Sequence, residues 1–499
     1  MKRILHLLHC RQIPFRPRTI AAACLGAMLL GAAGCAQLPA DRDVLPRQDP
    51  ANVQLAENIK LAREGWPQAQ WWTRYGDAQL NRLIDRALKD GPTLQVAAMR
   101  IGAARAVLRL DSADREINVS LEADANRQRY SANGLLPRPI GGNYHTESKV
   151  QARASYDLDW WGKHRAAIEA AAGEVNARQA EYAQAEQTLA AAIAQAYFNL
   201  QAGWARLDTL QKMLAAQRSL VADKEKRVTH GVASIDEQHS ADAELALMNR
   251  QHAALAAQCG RELEALRALL GADGRALADL RPRPVPDVVH ALPSRLGIEL
   301  LARRPDLQAA RWRIEASLSR IEASQAAFYP DINLTGFFGF DSLTPDKLLN
   351  AASRTLFIGP ALKLPLFDSG RLQARLDAAR VQRNEMIADY NQSVFMAVRE
   401  VAQEGIALQG LEIQSREHAA AAAVTHALLR SARARFRQGL ADRSAILSAE
   451  LAVLRQDEAG LQLKNQQLLT DVALVKALGG GYRAEDAPAA TALKQGNAD

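Results

Sequence analysis

The cysteines and histidines are the side chains with the most distinctive chemistry here, and only Cys35 has a setting that predicts a reaction. It follows Ala32, Ala33 and Gly34, at the end of a short apolar segment that basic residues precede. This pattern is typical of a secretory signal peptide that ends at a cysteine whose thiol becomes lipid-modified. We therefore expect residues 1–34 to be a signal peptide and Cys35 to be the lipid anchor. The alternative is an ordinary signal peptide with an incidental cysteine.

The other cysteines predict no redox or metal chemistry. Cys10 and Cys24 lie within the leader, so Cys259 is the one thiol left in the mature chain and no intrachain disulfide is expected. Cys259 stands in an Ala- and Leu-rich helical stretch, which favours a small buried residue over a reactive one.

Catalytic and metal-binding motifs are absent from the sequence. The ten histidines are scattered without metal-ligand spacing. No His-Glu-x-x-His, no phosphate loop ending in Lys-Ser or Lys-Thr and no Gly-x-Ser-x-Gly occurs. Gly479–Gly481 resembles a glycine-rich loop, but its position after a helical stretch favours a helix end. We therefore expect that the protein is not an enzyme and that it binds neither a cofactor nor a metal ion.

Charge and composition favour a helical protein that does not bind nucleic acid. The formal net charge is +7, but five basic residues precede the apolar leader segment, so the mature chain is nearly balanced. Of the 499 residues, 48% are hydrophobic, 23% charged and only 5% aromatic. These proportions are typical of long helices and coiled coils, in a chain long enough for several domains.

The two halves of the chain share one plan. Pro92–Gln95 aligns with Pro305–Gln308, and the same order of matches continues through Gly231 and Gly439. We expect five parts: a signal peptide (1–34), an anchored N-terminal segment (35–76), a first repeat (77–280), a second repeat (281–480) and a flexible tail (481–499).

Each repeat is predicted to hold a β-hairpin, over 117–160 in the first and 331–367 in the second. Apolar residues alternate with polar ones from Ile117 to Ala125 and from Val150 to Leu158, which predicts strands with one apolar face. Strands of about ten residues with this pattern are typical of outer-membrane strands. Four are too few to close a barrel, so several copies must pool them.

Helices fill the rest of each repeat. One helix is expected over Leu80–Arg115. Proline-free stretches then predict very long helices over Lys163–Thr229 and Arg371–Arg437, each about 100 Å at 1.5 Å per residue. The first carries a coiled-coil spacing from Leu189 to Leu214. Gly231 and Gly439 are predicted to mark the turns where the chain doubles back.

Several motifs together resemble the outer-membrane factor family of TolC-like channels, in its NodT-type lipoprotein branch. They cover nearly all of the mature chain: Gly65-Trp66-Pro67, Trp71-Trp72, Leu301-Ala302-Arg303-Arg304-Pro305-Asp306, Phe328-Tyr329-Pro330, and Leu364-Pro365-Leu366-Phe367-Asp368 followed by Gly370-Arg371.

The resemblance implies a mainly α, internally duplicated chain that forms a homotrimer in the outer membrane. The trimer would have a twelve-stranded β-barrel continued by a long periplasmic α-helical barrel. The resemblance also implies a periplasmic adaptor protein and an inner-membrane efflux pump as partners. The family's helical turns meet the adaptor, and the matching residues here are Arg227, Gly231, Val232, Arg435, Phe436, Gly439 and Leu440.

The sequence departs from the family at the periplasmic mouth. Members often narrow it with aspartates shortly after the second turn glycine, but Ala445 and Ser448 stand there. Asp442, Arg443 and Glu450 are the charged candidates for a different constriction, although a solvated helix face is the simpler role for each.

Three functions fit this plan. Passive conduction of drugs or toxic small molecules is favoured, and an outer-membrane duct for type I protein secretion is the alternative. A structural coiled-coil lipoprotein without a pore is the third.

Overall fold

The computed structural model describes residues 40–49, 62–64, 66–287, 291–293, 300 and 302–483. In chain order its elements are β1 (Ala62–Glu64), α1 (Ala78–Asp90), α2 (Pro92–Ala113), β2 (Asn118–Arg129), β3 (Tyr144–Asp157), α3 (Lys163–Thr229), α4 (Ile235–Leu270), β4 (Ala291–Pro293), α5 (Pro305–Ala326), β5 (Asp331–Ser342), β6 (Arg354–Lys363), α6 (Arg371–Arg437) and α7 (Arg443–Ala477).

The order helix, strand, strand, long helix, helix occurs twice, first from α2 to α4 and then from α5 to α7. The two long helices, α3 and α6, each contain 67 residues and have the bounds that the sequence pattern indicated. By its contacts the chain divides into a sheet unit, which includes Ile117–Lys163 and Ala323–Asp377, and a helical unit drawn from Leu45–Glu116, His164–Glu322 and Ala378–Asp499.

The prediction of a single helix over Leu80–Arg115 is wrong, because the chain breaks between α1 and α2. Gly91 has extended backbone angles, φ −63° and ψ 131°, and Pro92 is the first residue of α2. A residue before proline is pushed out of the helical region, and proline has no N–H to continue the helix. A Cβ at Gly91 would lie 2.4 Å from the carbonyl oxygen of Ala87, so only glycine fits this break.

The sheet unit is built on one antiparallel sheet of four strands in the order β2-β3-β5-β6. Leu121 pairs with Ala152, Ala152 with Phe338 and Phe338 with Leu356, so one row crosses all four strands. The strands are longer than the sequence pattern indicated at several ends; β3, for example, begins at Tyr144. In the part of the chain that the structure describes, the outer edges of β2 and β6 pair with no other strand.

The two faces of this sheet differ in polarity, as the alternation predicts. One face carries large apolar side chains that are exposed in the single chain, including Leu121 at 74% and Ile358 at 74%. The opposite face is mainly polar, because Glu122, Gln151 and Thr355 stand in the neighbouring register positions.

The helical unit buries its main core where α1, α3, α4 and α7 meet. Tyr197 and Phe198 of α3 are fully buried there. The sequence alone is compatible with a surface loop for Trp71 and Trp72, but both belong to this core, with 3% and 4% of their surfaces exposed. The prediction that Cys259 is a buried structural residue is confirmed, since it is 6% exposed in the same cluster.

Candidate functional site

The turn between α3 and α4 is closed by a glycine in the left-handed region. Gly231 has φ +69°. Its N–H donates to the carbonyl of Val228 at 2.9 Å, and the N–H of Val232 donates to the carbonyl of Arg227 at 2.9 Å. This pair of bonds is a Schellman motif, which satisfies the last carbonyls of the helix. Ser234 then caps α4 by accepting from the N–H of Glu237.

The turn between α6 and α7 repeats this geometry. Gly439 has φ +72°. Its N–H donates to the carbonyl of Phe436 at 3.0 Å, and the N–H of Leu440 donates to that of Arg435 at 2.8 Å. Asp442 caps α7 by accepting from the N–H of Ala445 at 3.0 Å. Each arginine thus supplies the carbonyl that closes its own turn.

The turns present apolar side chains to solvent. Val232 is 64% exposed, Leu440 72% and Phe436 43%. Apart from the glycine itself and its two chain neighbours, no heavy atom of the described residues lies within 4 Å of a Cβ built on Gly231 or Gly439, so the positive φ alone explains the glycines. Exposed apolar residues on a rigid turn are a surface that can pack against a partner.

An ion pair joins the two turns within the helical unit. The guanidinium of Arg227 binds the carboxylate of Asp442, although 215 positions separate them in sequence. Burial alone would raise the pKa of Asp442, but hydrogen bonds from Ser444 and the Ala445 N–H, together with the charge of Arg227, hold it below its usual value. A second pair, between Lys224 and Glu237, lies within the first turn, and its hydrogen bond lowers the pKa of Glu237.

The other two constriction candidates are placed differently. Arg443 is exposed in the first turn of α7. Glu450 lies about two turns further along α7, where its carboxylate is 3.7 Å from the guanidinium of Arg433 on α6. The structure therefore brings Asp442 together with Arg227 rather than with Glu450.

A buried arginine forms a second polar cluster that sequence reasoning did not assign. Arg304 donates to Asp306 at 2.6 and 3.0 Å, to Glu400 at 2.8 Å and to the carbonyl of Ala477 at 3.0 Å. Burial alone would lower its pKa, but the bonds to the two carboxylates raise it. The sequence showed Arg304 and Asp306 as one motif, yet it contained no signal for Glu400, 96 positions away from Arg304.

Asp471 of α7 is the centre of a third polar cluster, which was not predicted from the sequence. It is 2% exposed, accepts from the hydroxyl of Tyr75 at 2.6 Å and forms an ion pair with Arg74. Burial, followed by the nearby Asp471 carboxylate, raises the pKa of Tyr75. These bonds fix the segment before α1 to the last helix.

Cys35 lies outside the described residues. Within those residues, His, Cys, Asp and Glu side chains form no group that could hold a metal ion. No helix in the described part of the chain is both long and apolar enough to cross a membrane.

Comparison with known proteins identifies the class. The model of the outer membrane efflux protein family matches residues 83–272 and 296–480. The chain belongs to this family.

Two curated relatives and one solved structure illustrate the similarity. The chain is 38% identical to the multidrug resistance outer membrane protein MdtP of Escherichia coli strain K12, over 94% of this chain and 97% of that protein. It is 36% identical to MdtQ of Escherichia coli O157:H7, over 93% and 98%. The outer membrane protein VceC of Vibrio cholerae has a similar fold, with a TM-score of 0.74 and 32% identity over 84% of this chain and 100% of that one.

These findings confirm three expectations from the sequence. The chain is a member of the predicted family, its fold is that of the outer-membrane efflux channels, and its location is the outer membrane.

Proposed function

We propose that this protein is the outer-membrane channel of a tripartite efflux system. It would passively conduct drugs or toxic small molecules from an adaptor and an inner-membrane pump to the exterior. The observation that carries this proposal is the sheet with one exposed apolar face and, among the described strands, two unpaired edges, in a chain whose relatives are named for multidrug resistance.

The strand order of the sheet supports the homotrimer that we propose. Strands β2 and β6 are antiparallel when brought edge to edge, because the order β2-β3-β5-β6 alternates in direction. Pairing β6 of one copy with β2 of the next would satisfy both edges, and three copies would supply twelve strands. The apolar face would then contact lipid and the polar face would line the lumen.

The two Schellman turns are the proposed docking surface for the periplasmic adaptor. Their shared geometry and exposed apolar side chains support the assignment of Arg227, Gly231, Val232, Arg435, Phe436, Gly439 and Leu440. Asp442, Arg443 and Glu450 remain the proposed constriction. The ion pair between Arg227 and Asp442 would help to hold the resting mouth narrow until the adaptor binds.

Residues 1–34 are the proposed signal peptide, and Cys35 the proposed lipid anchor. The parts 35–76, 77–280, 281–480 and 481–499 are the proposed anchored segment, first repeat, second repeat and tail. Cys35→Ser is expected to abolish acylation but to leave some export, because the strands themselves also anchor the protein.

A passive conduit needs neither a catalytic site nor a cofactor, so we propose that the protein is not an enzyme. Membership of an efflux family supports this role. The names of the relatives favour efflux over type I protein secretion.

Two measurements test the function. Deleting the gene should sensitise cells to some members of a panel of toxic compounds, and the intact gene should restore resistance. The purified protein should give single-channel conductance in planar bilayers. If the purified protein is a water-soluble monomer that gives no conductance, the channel function is wrong. If it conducts, but the deletion strain keeps its resistance to every compound and no longer secretes a protein, secretion is favoured instead.

A further inference from the structure

The polar face of the sheet contains one row that departs from its pattern. By register, Ser120 of β2 pairs with Arg153 of β3, Arg153 with Phe337 of β5, and Phe337 with Phe357 of β6. Two phenylalanines therefore stand side by side on the face where most neighbours are polar or charged. Phe357 keeps 48% of its surface exposed.

A positively charged side chain of the protein, Arg153, already contacts an aromatic ring of this row. The rings of Phe337 and Phe357 are stacked with centroids 5.5 Å apart and planes 24° apart. The guanidinium of Arg153 lies over the Phe337 ring, 5.8 Å from its centroid, and its charge is balanced by Glu122 at 3.4 Å. This geometry is a cation–π contact next to a carboxylate.

The face around the row is acidic. The register and the strict alternation of side chains place six carboxylates on it: Glu122, Asp124, Glu147, Asp157, Asp331 and Asp341. Only three basic residues of these four strands share the face, namely Lys149, Arg153 and Lys363. Its field therefore attracts cations, and each added copy of the chain would multiply this excess.

We propose that Phe337 and Phe357, with Arg153 and Glu122 beside them, form a contact site for cargo that combines a planar aromatic ring with a positive charge. The exposed side of Phe357 would stack on the ring, and the acidic face would attract the charge. This inference rests on the proposed function, because it requires the polar face to line the channel. Pairing of the β6 edge with another copy uses backbone groups, so the side chains of this face would still point to the same side of the sheet.

A purely structural role for the pair would have a different signature. The Phe357 ring lies against Gly359, where an added Cβ would be 3.2 Å from the Cζ atom, so the ring shields a glycine in the same strand. Phe357→Leu keeps much of that bulk but removes the π face. Phe338→Leu is the matched control, because Phe338 is 52% exposed on the apolar face of β5.

The test is block of single channels by ethidium, a planar aromatic cation. Naphthalenesulfonate serves as an aromatic anion and tetraethylammonium as a cation without a ring. We expect ethidium to block wild-type channels and the other two to block weakly. In Phe357→Leu the half-blocking concentration of ethidium should rise about fivefold or more, corresponding to roughly 1 kcal/mol. Unblocked conductance and the ethidium response of Phe338→Leu should stay as in the wild type.

The Phe357→Trp variant provides a second test, which does not depend on whether the Phe357→Leu variant folds. Tryptophan binds cations best among the aromatic residues, so this variant should be blocked at lower ethidium concentrations. Wild-type channels that conduct but resist ethidium, or equal block in all variants, would overturn this site and leave the channel function standing. Absence of conductance in the wild type would overturn both.

Discussion

The guanidinium of Arg227, in the last turn of α3, forms an ion pair with Asp442, the residue that caps α7. The same carboxylate accepts hydrogen bonds from the Ser444 hydroxyl at 2.8 Å and the Ala445 N–H at 3.0 Å. One side chain therefore both starts the last helix and links the two turns.

Separate substitutions should resolve these two roles. Asp442→Asn keeps a capping side chain and loses the charge, so it should cost well under 1 kcal/mol, as for other exposed ion pairs. Asp442→Ala loses the cap as well and should cost about 1 kcal/mol more. Amide hydrogen exchange at the start of α7 measures both effects. Equal protection in the two variants would contradict the capping role.

The link between the turns should resist mild acid. The folded-state pKa of Asp442 is lowered, so its contribution is fully present above the unfolded value of about 3.9 and disappears as pH falls through the lower folded value. A fluorophore on a Val232→Cys variant should therefore report the loss of this link only below about pH 4. In Asp442→Asn, the part of that change due to Asp442 should vanish; an identical change in this variant would contradict the assignment.

Substitution of glycine by alanine should have different effects on stability in the two turns and within a helix. Gly231→Ala or Gly439→Ala places a Cβ in the left-handed region and should destabilise the turn by roughly 1 kcal/mol, despite open space around it. Gly410→Ala, within α6 and also with open space, should be neutral or slightly stabilising.

Crosslinking to the adaptor and drug resistance would show whether the turns dock. A bulky residue at Gly231 or Gly439 should reduce both, whereas Gly410→Ala should change neither. Unchanged crosslinking and resistance in the bulky variants would remove the docking assignment.

Arg304 should be among the least replaceable charged residues. Its side chain is 7% exposed and binds two carboxylates and a carbonyl. Arg304→Ala should destabilise by about 1–3 kcal/mol, because Asp306, Glu400 and the Ala477 carbonyl lose their shared buried donor while the two carboxylates keep some contact with water. Arg304→Lys cannot reproduce the forked geometry and should recover only part of the loss. Denaturant unfolding measures both; a loss below about 1 kcal/mol for Arg304→Ala, the range of an exposed ion pair, would contradict a structural role for this cluster.

Gly203 and Cys259 are in close contact, so a smaller side chain at position 259 should offset part of the stability lost when Gly203 is enlarged. A Cβ at Gly203 would lie 2.5 Å from the Cys259 Sγ, so Gly203→Ala should destabilise by roughly 1–3 kcal/mol through overpacking. Adding Cys259→Ala removes the sulfur and should restore part of that loss. Unfolding of the two single variants and the double variant gives the coupling energy, and simple additivity would contradict the contact.

The thiol of Cys259 itself should be inert in the folded protein. It is buried, and burial raises its pKa. A thiol reagent should therefore label it slowly at neutral pH and rapidly after unfolding.

Local patterns in the sequence determined most of the secondary structure and the family of this protein. Alternation from Ile117 and from Val150 predicted strands, since side chains on a strand point to opposite faces every second residue. The absence of proline from Lys163 to Thr229 and the glycine beyond it predicted a long helix and its turn. The family motifs, read together, indicated the class. These signals are local, so a linear sequence contains them.

Only the tertiary structure decided which distant groups meet. The pairs Arg227 with Asp442 and Arg304 with Glu400 depend on how helices pack, and no spacing in the sequence encodes them. The break at Gly91 was missed because apolar periodicity continued through it, while the contact with Ala87 and the following Pro92 ended the helix. The row of Arg153, Phe337 and Phe357 likewise required the strand register, because a shift of one residue would have moved each side chain to the other face.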